Sequence, residues 1–169
     1  MLILKKDTPD DPQRVLQRLM ALCSRKECCV WHIQQKLNRT NLAAEQQMEI
    51  LERLVRERFV DNRRFVEIYC RDRCGRARWG WNKIRHGLML WGLKDYLEEA
   101  RSWCLELDPN RTALPALAQA KWALLTANEP AIDYRQRQKL CAKLSRYLIG
   151  KGYPSDDVFA QVRLYFEPL

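Results

Sequence analysis

The sequence predicts an all-α protein of three tandem three-helix modules, and three observations carry that expectation. Apolar residues recur three and four positions apart along nearly the whole chain, the spacing of one helix face. No stretch alternates apolar and polar residues as a half-buried strand would. An apolar triple spaced four and then five residues occurs three times in order: Ile33-Leu37-Leu42, Ile84-Leu88-Leu93 and Leu144-Leu148-Tyr153. In each, two residues lie one helical turn apart, a short turn follows, and the third residue anchors the next helix. The modules run over 11–59, 60–108 and 109–166. Units this small bury little core alone, so neighbours are expected to stack.

The elements follow in order. Pro12 opens a helix whose stripe is Val15, Leu16, Leu19, Met20, Leu22 and Cys23. Val30, Ile33 and Leu37 make the second stripe. Met48, Leu51, Leu54 and Val55 make the third, with Glu45, Glu49, Glu52, Arg53 and Arg56 on its wet side, several at i, i+4. Asp61 is an N-cap for a helix carrying Phe65, Ile68 and Tyr69. Gly75 and Gly80 bracket a break. A helix over 81–91 then stops at Gly92, and one over 93–105 ends at Pro109. The helix over 114–126 takes Pro115 in its first turn. Asn128, Glu129 and Pro130 form a loop before a helix over 135–149, which Gly150 and Gly152 terminate. Ser155 caps the last helix, with Asp156 and Asp157 at its positive end.

The composition narrows the function. Lys and Arg total 30 against 21 acidic residues, a net charge of +9, which favours a polyanionic partner over a neutral one. Met1–Leu4 is apolar but Lys5, Lys6 and Asp7 end it, and no run reaches the length of a membrane span, so a cytosolic protein is expected. Seven cysteines fit a reduced compartment. Only Cys70 and Cys74 pair at i, i+4, and His32 and His86 lie near no cysteine pair, so neither a zinc site nor any cofactor is expected. There is no phosphate-binding loop and no nucleophile motif, so an enzyme is not expected.

The charge is clustered. Arg63, Arg64, Arg71, Arg73, Arg76, Arg78, Lys83 and Arg85 face only Glu67 and Asp72 over 63–85, and Arg135, Arg137, Lys139, Lys143, Arg146 and Lys151 face no acid over 135–151. The third helices carry the acids: Glu45, Glu49, Glu52 and Glu57, then Asp95, Glu98, Glu99 and Glu106. The basic segments are expected to form a partner-binding face, the competing reading being a solvated face tied to those acidic helices. Trp79 and Trp81, flanking Gly80, are either aromatic anchors at an interface or a packed joint between modules. Arg64 and Phe65 pose the same choice.

Leu54-Val55-Arg56-Glu57-Arg58-Phe59-Val60-Asp61-Asn62-Arg63-Arg64-Phe65 and Trp79-Gly80-Trp81-Asn82-Lys83-Ile84-Arg85 resemble the RecX family of RecA regulators, and the likeness extends over about 11–166. The resemblance implies an elongated, curved helical monomer that docks in the groove of the RecA–single-stranded-DNA filament. There it would modulate ATP hydrolysis, strand exchange and filament growth, in recombination, repair and the SOS response, with at most weak direct DNA binding. The alternative is a sequence-independent DNA-binding protein with helix-turn-helix-like modules. Two positions depart from the family pattern. Cys29 stands where a Ser cap is usual, and Asn38–Asn41 replaces a turn glycine, which Asn tolerates because it can adopt the left-handed conformation.

Overall fold

The computed structural model describes residues 10–108, 111–127 and 132–166. Pro109 and the expected loop at Asn128, Glu129 and Pro130 lie outside them. Among the described residues there are nine α-helices and no strand. None of the helices is long and apolar enough to cross a membrane. The chain packs as two compact units, Met1–Ile68 and Tyr69–Leu169.

The first unit contains α1 (Pro12–Arg25), α2 (Val30–Leu37), α3 (Ala44–Arg56) and most of α4 (Asn62–Cys70). Asp11 caps α1 by accepting the Gln13 N–H at 3.0 Å, and Pro12 occupies the first turn, where its missing N–H costs nothing. The core joins Val15, Leu16 and Leu19 of α1 to Ile33 and Leu37 of α2 and to Ile50 and Leu54 of α3. Each such side chain contributes about 1.5–3 kcal/mol through burial. The expected stripe of α3 needs correction: Met48 is 60% exposed and Val55 is exposed as well, while Ile50 takes the inward position. Ile50 and Leu54 share one face a turn apart, whereas Met48 lies about 200° round the helix from Ile50.

Caps organise the rest of this unit. Asp61 accepts the Arg64 N–H at 3.0 Å, as its position ahead of α4 predicts. The neighbouring Asn62 accepts the Val30 N–H at 2.9 Å, so the start of α4 satisfies an orphan donor at the start of α2. At Cys29 the place of the usual Glu or Gln of a capping box is taken by His32, whose Nδ1 accepts the Cys29 N–H at 3.5 Å and lies 3.2 Å from Cys29 Sγ. Burial, with Lys26 and Lys36 nearby, pushes the His32 pKa down, which suits a neutral acceptor. The 38–41 turn uses no left-handed residue. Asn38 is right-handed at φ −60°, and the Thr40 N–H and hydroxyl both donate to the Leu37 carbonyl.

In the second unit α4 runs on into a π-helical turn, Arg71–Arg76, so Gly75 lies inside a helical turn and the break comes after it. There follow α5 (Trp81–Leu90), a 3-10 turn (Lys94–Tyr96), α6 (Leu97–Leu107), α7 (Ala113–Thr126), α8 (Tyr134–Gly150) and α9 (Ser155–Arg163). The helix expected from 93 thus begins as a 3-10 turn. Ser155 is the first residue of α9, with Pro154 rather than Ser155 at the cap position. Asp108 holds the start of α7, accepting the Thr112 N–H, the Thr112 hydroxyl and the Ala113 N–H at 2.8, 3.0 and 3.1 Å. Partial burial alone would raise its pKa, but these donors outweigh it and hold the carboxyl below its ordinary value. The core of α7–α9 is Ala118, Cys141, Leu144, Leu148, Val158 and Val162.

The repeated triples occupy matching places. Ile84, Leu88 and Leu93 are buried, as are Ile33, Leu37 and Leu42, and so are Leu144 and Leu148. The turns after α5 and α8 make the same bonds: Gly92 N–H to Met89 and Leu93 N–H to Leu88, then Gly152 N–H to Ile149 and Tyr153 N–H to Leu148. Gly92 (φ +68°) and Gly152 (φ +96°) both adopt the conformation that favours glycine.

Candidate functional site

The turn after α8 packs backbone to backbone against the entrance of α5, inside the second unit. The Gly80 N–H donates to the Lys151 carbonyl at 2.9 Å, and the Asn82 N–H to the Gly152 carbonyl at 3.1 Å. A Cβ on Gly80 would stand 2.4 Å from the Gly152 carbonyl, and one on Gly152 would stand 2.4 Å from Lys83 Cβ. Two glycines therefore set the approach.

Cations close the joint. Lys83 Nζ donates to the Gly150 carbonyl at 3.2 Å and sits 4.2 Å from the centre of the Trp79 ring. The Arg73 guanidinium lies 4.8 Å from the same ring and 5.7 Å from the Tyr69 ring. From the other side Lys151 Nζ donates to the Ala77 carbonyl at 3.3 Å, and the Tyr153 hydroxyl donates to the Arg78 carbonyl at 3.2 Å. Burial pushes the Tyr153 pKa up to about 12. Trp79 is half-buried, with both cations on its ring.

The expected basic face divides accordingly. Arg73, Lys83 and Lys151 are drawn into the joint, and Arg137 donates to the Tyr165 carbonyl at 3.1 Å. Arg76, with a side chain 89% exposed, lies only 3.8 Å from Asp72. Arg71, Arg78 and Arg85 are exposed, and Arg78 is held left-handed at φ 49°. On α8, Arg135, Lys139, Lys143 and Arg146 are all exposed and fall within an arc of about 80°, opposite the buried Leu140, Cys141, Leu144 and Leu148. This outer row is the most coherent basic surface among the described residues of the unit.

Arg63 and Arg64 belong to the first unit. Arg63 is exposed on α4. Arg64 is engaged: its Nε pairs with Glu27 at 2.8 Å and its Nη2 donates to the Arg58 carbonyl at 3.1 Å. Phe65 is buried and stacks edge-on to His32.

Two features escape a reading of the sequence. Arg85 and His86 share the outer stripe of α5 with the exposed Met89 and Leu90, so this surface is apolar as well as basic. A cavity of about 570 Å³ also opens among α6, α7, α9 and the entrance of α5, lined by Trp79, Trp81, Leu105, Leu114, Arg101 and Arg111 among others. Its residues come from separated segments, and no local pattern announces it. Among the described residues no group of three or more His, Cys, Asp or Glu could hold a metal ion.

No family model matches the chain. It is 31% identical over 109 residues to a Clostridium tetani protein named Regulatory protein RecX, a match covering 64% of this chain and 47% of that protein. The protein of the same name from Clostridium acetobutylicum is 28% identical over 109 residues, covering 64% and 49%. The chain thus spans about half the length of the curated relatives it matches. The crystal structure of RecX from Lactobacillus salivarius aligns with 92% of this chain and 97% of its own, at a TM-score of 0.66 and 17% identity, and so matches in fold. The chain is similar to the RecX regulatory proteins, in sequence over 109 residues and in fold over nearly all of its length.

Proposed function

We propose that this protein regulates the RecA recombinase by binding the RecA–single-stranded-DNA filament, and that it acts through binding rather than catalysis. The similarity to proteins named RecX supports the partner. The outer row of α8, Arg135, Lys139, Lys143 and Arg146, is the observation that supports the mode of contact. Four long cations on one helix face suit phosphates and acidic side chains, and the arginines add bidentate geometry. Arg71, Arg76, Arg78 and Arg85 add exposed cations elsewhere in the same unit. The repeating units of this reading are 11–59, 60–108 and 109–166, supported by the matched turns at Gly92 and Gly152.

The test adds the protein to preformed RecA filaments on single-stranded DNA and follows ATP hydrolysis. Inhibition or a changed steady rate is expected at or below one protein per RecA. Reversing the four α8 cations to Glu should remove most of the effect while leaving the helix content unchanged. No effect of the parent protein under filament-supporting conditions would overturn the reading. Full activity of the reversed variant would move the contact elsewhere. The same row also favours a second reading, direct binding to DNA phosphates. That reading requires affinity for naked DNA to fall steeply with salt, and a flat response would end it.

A further inference from the structure

The cavity beside the joint has no part in the function so far described. It lies within the second unit and holds about 570 Å³. Two helices border it with matching stripes. From α6 come Arg101, Cys104 and Leu105, with Asp108 just past its end. From α9 come Asp157, Ala160 and Gln161, with Leu164 just past its end. Steps of three and four residues keep each set on one side of its helix, the spacing with which a helix packs on a neighbour. Here both stripes face the cavity, and Trp81 and Leu114 add apolar surface to it.

Leu105 and Leu164 line the cavity and are still 49% and 71% exposed, so they stand at its mouth. A pocket for a small molecule encloses most of its ligand. A broad apolar mouth instead suits a segment of another protein, whose apolar side chains enter while its backbone stays outside. The mouth is also charged. Arg101 and Arg111 line it and are exposed, and among the described residues neither forms an ion pair. Arg111 is held there at φ 51°, its N–H donating to the Asp108 carbonyl at 3.1 Å. Of the carboxylates that line the cavity, Asp108 is occupied by the Thr112 and Ala113 donors. Asp157 sits in the first turn of α9, where the positive end of the helix offsets it. The unmet charge of the groove is therefore positive.

We propose that this groove takes an acidic segment of RecA that carries bulky apolar side chains. Its carboxylates meet Arg101 and Arg111, and its apolar side chains enter between α6 and α9. The choice of RecA rests on the function proposed above; the shape and charge of the groove do not. The α8 row offers charge, which suits phosphate, whereas the groove offers apolar surface, which phosphate does not use. The two contacts therefore differ in their response to salt, because phosphate contacts release counterions and apolar burial does not.

The experiment measures co-sedimentation of the full chain with RecA filaments on single-stranded DNA across a salt series. Leu105→Ser combined with Leu164→Ser changes exposed residues, so helix content and the urea midpoint should stay unchanged. This variant is expected to bind about ten-fold more weakly, with the slope of log affinity against log salt unaltered. Reversing the four α8 cations should instead reduce that slope. Ala160→Trp, which fills the groove from α9, should weaken binding as strongly as the leucine pair. The photo-cross-linker p-benzoylphenylalanine in place of Leu164 should join a RecA peptide containing Asp or Glu, located by mass spectrometry. Undiminished affinity in either groove variant, or a lower salt slope in the leucine variant, would overturn the proposal. So would the absence of a cross-link, or a cross-link to DNA or to a RecA peptide without carboxylates. If the parent protein does not sediment with filaments, the function proposed above fails and this partner with it. A bound parent beside indifferent groove variants overturns the groove alone.

Discussion

Lys83 at the entrance of α5 and Lys143 on the outer row of α8 are the same residue type in segments of similar charge, yet the fold uses them differently. Lys83 reaches a backbone carbonyl and the face of Trp79, so its ammonium helps hold two turns together. Lys143 stands on a face whose opposite side is buried, and it is exposed to solvent. A basic cluster in a sequence therefore combines two populations: cations that hold the fold together and cations offered to a partner. What separates them here is the close approach of Gly80 and Gly152, which brings carbonyls within reach of some ammonium groups only.

The strongest way to break this contrast is at the glycines. Gly152→Ala places a Cβ against Lys83 in a backbone conformation that penalises it, and Gly80→Ala drives one into the Gly152 carbonyl. Each is expected to cost about 3 kcal/mol or more of stability, read by urea denaturation. A loss under 1 kcal/mol would mean that the turns separate without consequence. Lys83→Met should cost about 1–2 kcal/mol by removing a charged hydrogen bond and a cation–π contact. Lys143→Met in the same assay should leave the midpoint unchanged while weakening filament binding. If the two substitutions behave alike, the division is wrong. A smaller gain, rather than a loss, is expected at Arg78, left-handed at φ 49°. There Arg78→Gly should relieve strain and raise stability by up to about 1 kcal/mol, visible as a higher Tm.

The helices were legible because their signals are local. Pro12, Asp61, Gly92 and Gly152 act within one turn of themselves, and each is found in the role its position predicts. The repeated triples are legible for the same reason, since Ile33 and Leu37 or Ile84 and Leu88 must share a face at that spacing. On α3 the expected stripe takes Met48 and Val55 and passes over Ile50, because Ile50 and Met48 are equally apolar and only the packing against α1 and α2 distinguishes them. The turn at 38–41 was misread because Thr40 closes it from the side chain, an option that the glycines of the other turns do not have.

The candidate site was legible only as a charge count. Sequence alone determined the helical class, the approximate helix limits, the buried apolar pairs one turn apart and the basic excess, because propensity, capping and period act over a few residues. Tertiary structure decided that Trp79 is clasped by Arg73 and Lys83, that Arg64 is paired with Glu27, and that four cations of α8 face outward together. The reason is one of range. A cation's partner is set by which carbonyl, ring or carboxylate arrives within about 4 Å, and that is fixed by how helices and turns from distant parts of the sequence pack.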